Sequence, residues 1–246
     1  MSNSPNAALY NWRGAASRSV RAGLGAAFPQ RCALCACAAG PSCLCVGCED
    51  ALGAFAPACP RCALLVPGGQ ICGRCLAHPP AFDAAVAAGP YAYPLDRLVR
   101  RLKYGADLPL ATVLGARLAR AAERAGAVAR VDAIVPMPLA PERQRMRGCN
   151  QAREIAKAVS RATGLPLARG LVRMRHGKPQ ASLAWRDRVR NVRRAFAASR
   201  PFDGQRLALV DDVMTSGATA AAAAAALRKA GAVRVEAWVV ARTPVG

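Results

Sequence analysis

Two adjacent carboxylates, Asp211 and Asp212, stand shortly before a turn of small hydroxyl residues, Thr215 to Thr219. The four residues before them are all apolar and predict a buried strand, so the acids are expected at its carboxyl end, where α/β sheets bind ligands. Because an unpaired carboxylate is costly to bury, we do not expect either acid in the core. An acidic turn followed by an ordinary helix cap would account for Asp212 or Thr215 singly, but not for the whole pattern.

The turn itself has the composition of an anion-binding loop. With Gly217 inside it, successive backbone N–H groups can surround an anion while the hydroxyl groups donate further hydrogen bonds. The alanine-rich segment that follows predicts a helix, whose positive end favours a phosphate group by about 1 kcal/mol.

A second set of reactive side chains is the cysteines, of which the chain has 11. Eight of them form four Cys-x-x-Cys pairs, a spacing that suits tetrahedral zinc and closes too short a loop for a useful disulfide. We predict two structural zinc sites of four thiolates each. The ligands, in sequential order, are Cys32, Cys35, Cys45 and Cys48, then Cys59, Cys62, Cys72 and Cys75.

The same spacings also allow a cross-braced pairing, and Cys43 could replace Cys45. A segment without metal is the alternative, but about 50 residues with few large apolar groups could hardly fold unaided. Four thiolates leave no open coordination position, so catalytic zinc is not expected.

The charge is strongly basic, with 35 Lys and Arg against 14 acids and a formal net charge of +21. Basic residues are dense between Arg143 and Arg206, which would attract a phosphorylated sugar or nucleic acid. The alternative is a solvated surface with a compositional bias from a GC-rich coding sequence. No segment approaches the roughly 20 apolar residues of a membrane span, and no secretory signal is evident, so we expect a cytoplasmic protein with reduced thiols and no membrane insertion.

The elements that must position these groups alternate between strands and helices from about residue 81 onward, which predicts an α/β domain with a mainly parallel sheet flanked by helices. We predict three segments: a lead-in at 1–30, a cysteine-rich double zinc module at 31–80, and the α/β domain at 81–246. The expected strands are 84–88, 131–135, 206–210 and 233–240, and the expected helices are 95–104, 108–125, 151–163 and 218–230.

The run LALVDDVMTSGAT, from Leu207 to Thr219, resembles the binding signature for phosphoribosyl pyrophosphate (PRPP) in type I phosphoribosyltransferases. The resemblance implies that fold, Mg²⁺ bound with PRPP, and contacts from Asp211 and Asp212 to the ribose hydroxyls. It also implies a 5′-phosphate site formed by Thr215, Ser216, Gly217, Ala218 and Thr219.

Two further segments resemble the ComF family, competence-associated proteins with a phosphoribosyltransferase-like domain behind a zinc module. They are Val135 to Gln151, with the pattern VPMPL…R…RGCNQ, and Arg173 to Phe196. Tyr93 and the pair Lys103-Tyr104 agree as well, so the resemblance spans about residues 30–242. It implies a pyrophosphate loop and a mobile flap formed by Pro136, Met137, Pro138, Leu139, Arg143, Arg147, Asn150, Gln151, Arg173, Gln180, Arg188 and Asn191. Since prolines lack an N–H group, Met137 and Leu139 are the expected backbone donors of that loop.

Two functions are consistent with these patterns. The first is a transferase that uses PRPP with an unknown acceptor, a reaction that needs charge neutralisation at the leaving pyrophosphate and no nucleophilic side chain. The second is a non-catalytic factor that binds single-stranded DNA or senses PRPP, with the DNA-uptake machinery and a helicase-type protein as partners. The two histidines, His78 and His176, are interpreted as solvated loop residues.

Overall fold

The computed structural model describes residues 30–39, 43–53, 56–105, 107–140, 145, 148–174 and 195–244. Contacts divide the chain into two compact units, Met1–Ala51 and Leu52–Gly246. The first contains an antiparallel pair, β1 (Gln30–Arg31) with β2 (Ala38–Ala39), and helix α1 (Val46–Ala51). The division between the units falls inside the predicted zinc module, whose bounds of 31–80 stay a prediction.

The second unit is built on a parallel sheet with the strand order β3-β8-β7-β4. An antiparallel pair, β5 with β6, lies outside this sheet. The strands are β3 (Ala84–Ala87), β4 (Ala133–Pro136), β5 (Leu171–Arg173), β6 (Phe196–Ala198), β7 (Arg206–Met214) and β8 (Arg234–Arg242).

Helices cover both faces of the parallel sheet. The helices of this unit are α2 (Gly73–Ala77), α3 (Leu95–Tyr104), α4 (Pro109–Arg124), α5 (Gln151–Thr163) and α6 (Ala218–Lys229), with 3-10 turns at Pro67–Gly69 and Val128–Arg130. Helix α6 shares a core with Leu207, Leu209 and Val235, which point to one face. The alternate side chains, such as Val210 and Trp238, are buried on the opposite face, where α4 and α5 pack against the sheet.

A glycine sets the close approach of α4 and α5. A Cβ atom added at Gly115 would lie 2.5 Å from the Cβ of Ala158 and 2.8 Å from the carbonyl oxygen of Ile155. Since any larger residue would force the two helices apart, this contact fixes the helical layer that carries the amino end of α5 to the edge of the sheet.

The predicted α/β class with a mainly parallel sheet is confirmed, and each of the eight predicted elements is present. The expected end of the third strand at Val210 is wrong, because β7 continues to Met214. It does so because β8 extends to Arg242 and pairs with β7 along this added length. Strands β5 and β6 were not predicted. Within the ranges described, no helix is both long enough and apolar enough to cross a membrane.

Candidate phosphate site and four-cysteine centres

Strand β7 reaches beyond its neighbour β4 at the carboxyl edge of the sheet. The last pair between them is Pro136 with Val210, whereas β7 and β8 continue together to Met214 and Arg242. Asp211 and Asp212 therefore lie on a strand that is paired with β8 and has a recess on the β4 side. A recess of this kind at the carboxyl edge is the usual ligand position in parallel sheets.

The loop after β7 turns directly into α6. Gly217 has a φ of 81°, in the left-handed region, and is the N-cap of this helix. The Ala218 N–H group donates to Ser216 Oγ at 3.3 Å. The loop thus places backbone N–H groups and the positive end of a helix of 12 residues at one point, as anion binding requires.

Asp212 departs from the expectation that neither acid lies in the core. The residue is only 9% exposed, on the side of the sheet that faces α3. Its Oδ1 lies 3.3 Å from the Nζ atom of Lys103, which is in the last turn of α3. The expectation was wrong for Asp212 because Lys103 supplies the counter-charge that offsets the cost of burial.

Asp211 points to the opposite face, toward α6. It is half-buried and lines a cavity of about 60 Å³ together with Met137, Thr215, Gly217 and Thr219. Burial, and then the nearby Asp212 carboxylate, raises the pKa of Asp211 to about 7 against the opposing effect of Lys103 and Arg173. A cation or hydroxyl donors placed in the cavity would favour the ionised form.

The loop after β4 is held by the start of α5. Asn150 caps this helix, since its Oδ1 accepts from the Arg153 N–H group at 3.2 Å, and its Nδ2 donates to the Met137 carbonyl at 3.1 Å. Gln151 is buried, with 2% of its surface exposed. The structure therefore gives Asn150 a positioning contact to the loop.

The expected donor role of Met137 is wrong in this structure. Its N–H group donates to the Val210 carbonyl at 2.8 Å and so continues the ladder between β4 and β7. Because this hydrogen bond occupies the only donor of the Met137 backbone, Met137 contributes its buried side chain to the cavity instead.

Arg173 is the predicted flap residue that falls within the described residues. It ends β5, lies over the Phe196 ring with its guanidinium carbon 5.3 Å from the ring centre, and lowers the pKa of Asp211 through its charge. Apart from Asn150 and Gln151, the other predicted charged and polar residues of the pyrophosphate loop and flap lie outside the described residues, as does His176. These are Arg143, Arg147, Gln180, Arg188 and Asn191.

The cysteines form two groups in sequential order, so the cross-braced pairing is not the one observed. The first group is Cys32, Cys35, Cys45 and Cys48, the second is Cys59, Cys62, Cys72 and Cys75, and the sulfurs of each lie within 4.8 Å of one another. We call these the first and second four-cysteine centres. Cys43 is in neither, and all 11 cysteines are free of disulfides.

The two centres repeat the same local turn. In each, the residue after the first Cys-x-x-Cys pair has a positive φ, 62° at Ala36 and 55° at Ala63, and its N–H group donates to the first cysteine's carbonyl. The sulfurs of Cys35 and Cys45 lie 3.6 Å apart, as do those of Cys62 and Cys72. Bonds of about 2.3 Å to a tetrahedral zinc would place sulfurs about 3.8 Å apart, so both centres fit this ion.

Backbone groups also favour the thiolate form in the second centre. Burial alone would raise the pKa of Cys59, but hydrogen bonds from the backbone of Cys72, Cys62 and Arg61 outweigh it and lower this pKa to about 7. The Cys72 N–H group donates to Cys59 Sγ at 3.4 Å. A thiolate is the form that binds zinc.

Two arginines that sequence reasoning missed connect the second centre to the phosphate loop. Arg242, at the end of β8, is 4% exposed and donates to the carbonyls of Cys62, Met214 and Thr215. Arg74, between two cysteines of the second centre, donates to the Ser216 carbonyl at 3.3 Å. The only available signals were an arginine that ends an apolar strand and another inside a Cys-x-x-Cys pair.

Comparison with known proteins shows that the chain is similar in sequence to two named groups of proteins. It is 36% identical over 208 residues to competence protein F of Haemophilus influenzae, covering 81% of this chain and 90% of that protein. It is 33% identical over 205 residues to DNA utilization protein YhgH of Escherichia coli K12, with the same shares. No protein-family model matches the chain.

Solved structures show a weaker likeness. Glutamine PRPP amidotransferase from B. subtilis is 26% identical, with 52% of this chain and 25% of that one covered and a TM-score of 0.38. Purine phosphoribosyltransferase from Pyrococcus horikoshii is 15% identical, with 63% and 77% covered and a TM-score of 0.33.

Proposed function

Because the chain belongs to the ComF family, we propose that it binds PRPP with Mg²⁺ at the carboxyl edge of its parallel sheet, in a role linked to DNA uptake. The observation that carries the proposal is the junction of β7 with α6. Two carboxylates, a left-handed glycine and a helix start follow one another there at the open edge of the sheet. Each of these features suits a different part of a phosphorylated sugar.

In this proposal the loop Thr215 to Thr219 binds the 5′-phosphate through its N–H and hydroxyl groups, while Asp211 and Asp212 accept hydrogen bonds from the ribose hydroxyls. The 136–139 loop and Arg173 flank the pyrophosphate. Arg173 supports this assignment because its charge already acts on Asp211.

Mg²⁺, when bound, would neutralise part of the pyrophosphate charge as this group leaves. The donor set suits the ion, because carboxylate oxygens and phosphate oxygens are the ligands that Mg²⁺ prefers. Asp211 is the residue of this chain best placed to respond, since it is half-buried in the cavity and has a pKa near neutral. An ion or a hydroxyl donor at this position would lower the pKa of Asp211 and so favour release of its proton to solvent.

Substitution of the two acids tests the proposal. In D211N/D212N the affinity for Mg²⁺-PRPP, measured by titration calorimetry on zinc-loaded protein, should fall at least about tenfold, because two acceptors for the ribose hydroxyls are weakened. The matched control is D132N, which removes a carboxylate at the opposite end of the same sheet, where Asp132 pairs with Arg206. Absence of Mg²⁺-PRPP binding by the unmodified protein would sink the proposal.

In a naturally transformable host, the same variants show whether PRPP binding is needed for transformation. If D211N/D212N abolishes both PRPP binding and transformation, the ligand is needed for DNA uptake. If only binding is lost, the ligand serves another purpose. Release of pyrophosphate in the presence of candidate acceptors then distinguishes turnover from sensing, the acceptor being the part of the reaction for which the chain carries no motif.

A second candidate, which can coexist with the first, is direct binding of single-stranded DNA. The names of the relatives, competence and DNA utilization, motivate it. So does one surface: Tyr93 and Tyr104 are each 77% exposed at the two ends of α3, and the exposed side of this helix carries Arg97, Arg100 and Arg101. Exposed aromatic rings beside arginines are typical of surfaces that stack single-stranded bases.

Binding of a labelled oligonucleotide across a salt series tests this candidate. Affinity should fall steeply as salt rises, because phosphate contacts release counterions. Y93A/Y104A should weaken binding with little change in this salt slope, whereas R97Q/R100Q should reduce the slope itself. Binding that is absent or insensitive to salt would exclude it.

We extend the proposal to the cysteine centres and the location of the protein. Two structural zinc ions, one in each four-cysteine centre, would be held by reduced thiolates, and the cytoplasm is the compartment that keeps thiols reduced. A helicase-type protein of the DNA-uptake machinery is the proposed macromolecular partner, which co-purification from competent cells would test.

A further inference from the structure

Three carbonyl groups at the start of the phosphate loop accept hydrogen bonds from donors elsewhere in the chain. The Met214 carbonyl accepts from the Thr243 N–H group at 3.0 Å and from Arg242 Nη1 at 3.0 Å. Arg242 Nη1 also donates to the Thr215 carbonyl, and Arg74 Nη2 donates to the Ser216 carbonyl at 3.3 Å. Three consecutive carbonyl groups therefore have fixed partners.

Anchored carbonyls fix the direction of the N–H groups. A trans peptide unit is planar, with its C=O and N–H bonds pointing in opposite directions. Holding the carbonyls of Met214, Thr215 and Ser216 toward the arginines turns the next three N–H groups, those of Thr215, Ser216 and Gly217, to the other side. Three adjacent N–H groups with a common direction form an anion-binding concavity.

Both arginines are joined to the second four-cysteine centre. Arg242 donates through Nε to the Cys62 carbonyl at 2.9 Å, and Arg74 lies between two cysteines of the centre at the start of α2. The same region joins the sheet directly, since the Ala85 N–H group donates to the Pro60 carbonyl at 2.9 Å and Ala63 shares the main core with Phe82.

The second centre has only a small apolar core of its own. Its buried core consists of Cys59, Cys62, Leu64 and Cys75, with Val66 and Cys72 packed against them. Four of these six residues are the thiol ligands themselves. A cluster of this size cannot hold an arginine in place by hydrophobic burial alone, so the order of Cys62 and Arg74 depends on a bound metal.

We infer that the second four-cysteine centre contributes to the phosphate site. Arg242 and Arg74 are positioning residues, through which the ordered centre fixes the conformation of the loop. Metal at this centre and phosphate at the loop then stabilise each other, since a coupling between two sites is reciprocal. The first centre, which lies in the other compact unit, serves as the comparison in the tests below. This inference rests on the proposed function for the identity of the anion, but not for the coupling itself.

A matched pair of variants tests it. Cys72 and Cys45 occupy the same place in their centres. The sulfur of each lies 3.6 Å from the sulfur of the second cysteine in the preceding Cys-x-x-Cys pair. C72S and C45S should each lose one zinc ion. Only C72S should speed hydrogen exchange of the Met214–Thr219 amides and weaken Mg²⁺-PRPP at least about tenfold. Equal effects of the two variants, or no effect of C72S once its zinc is gone, would overturn the inference.

A milder pair covers the case in which C72S does not fold. R74Q should weaken Mg²⁺-PRPP about tenfold while zinc content and melting temperature stay unchanged, because Arg74 is exposed. R61Q removes the same charge from the same centre without the contact to Ser216, and it should bind normally. If R61Q and R74Q behave alike, the effect is one of net charge and the positioning role is refuted.

The effect of the bound ligand on zinc release gives a further test, which does not depend on catalytic turnover. In the unmodified protein, saturating Mg²⁺-PRPP should slow the chelator-driven release of one zinc ion several-fold and leave the other unchanged. If the unmodified protein does not bind Mg²⁺-PRPP, the proposed function fails, while faster loop exchange in C72S than in C45S would still establish the coupling. If it binds and C72S binds equally well, the inference alone fails.

Discussion

At the scale of residues, the two neighbouring acids of the site have different environments. Alternation along β7 turns Asp212 toward Lys103 of α3 and Asp211 toward the cavity beside α6. Asp212 therefore has a fixed counter-charge in the protein alone, whereas Asp211 is only partly compensated and has a pKa near 7. This difference leaves Asp211 as the acid that responds to a bound ligand.

The raised pKa of Asp211 predicts a pH-dependent stability. Between the unfolded value of 3.8 and the folded value of about 7, the folded state holds a proton that the unfolded state has lost. Stability contributed by this residue therefore falls as pH rises through that window. D211N, which cannot ionise, should gain about 1–3 kcal/mol in free energy of unfolding relative to the unmodified protein between pH 4.5 and 8, after allowance for partial solvent screening.

Urea unfolding of both proteins at the two pH values, without ligand and with zinc present, measures this difference. D132N is the control, because the pKa of Asp132 is lowered by its hydrogen bonds to Arg206, so the Asp132 variant should not gain stability as pH rises. A pH dependence of D211N that matches the unmodified protein would show that Asp211 ionises normally.

At the scale of elements, the start of α6 depends on the conformation of one glycine. A Cβ atom at Gly217 would meet no atom closer than 3.7 Å, so the cost of G217A comes from its φ of 81° and not from crowding. We expect a loss of about 1 kcal/mol or more in stability, together with weaker Mg²⁺-PRPP binding.

Gly164 provides the matched control. It has a φ of 76°, ends α5, and has no atom within 4 Å of an added Cβ. G164A should show a similar stability loss in urea unfolding and normal PRPP affinity in calorimetry. If both variants bind normally, the conformation of Gly217 is not needed for the ligand.

Asn150 joins two elements, because it caps α5 and binds the loop after β4. N150A should lose about 1 kcal/mol of stability through the missing cap. N150D keeps an acceptor for the cap but has no donor for the Met137 carbonyl, so it should retain most of the stability while the Met137, Leu139 and Ala140 amides exchange faster. Equal exchange in N150D and the unmodified protein would show that the contact to Met137 does not order the loop.

At the scale of the whole molecule, the two four-cysteine centres belong to different compact units although their sequences repeat. We expect two zinc ions per chain by native mass spectrometry, and one in C45S or C72S. Loss of zinc should affect stability differently at the two centres, because a backbone hydrogen bond from Ala85 to Pro60 joins the second one to the sheet. C72S should lower the melting temperature of the larger unit, whereas C45S should not.

Much of the fold and part of the site could be predicted from the sequence, for a common reason. The four Cys-x-x-Cys pairs, the alternation of strands and helices, and the run from Leu207 to Thr219 are local patterns. Their geometry follows from the spacing of residues along the chain, so composition and order suffice to predict an anion loop and to group the cysteines into two centres.

What only the tertiary structure decided concerns residues far apart in sequence. The partner of Asp212 lies on α3, the anchors of the loop are Arg74 and Arg242, and the Met137 N–H group is taken by β7. Each contact depends on how strands and helices are packed in three dimensions, which a local pattern does not contain. The sequence by itself therefore predicted the phosphate loop and grouped the cysteines, and the packing decided which distant side chains bind the carbonyl groups of that loop.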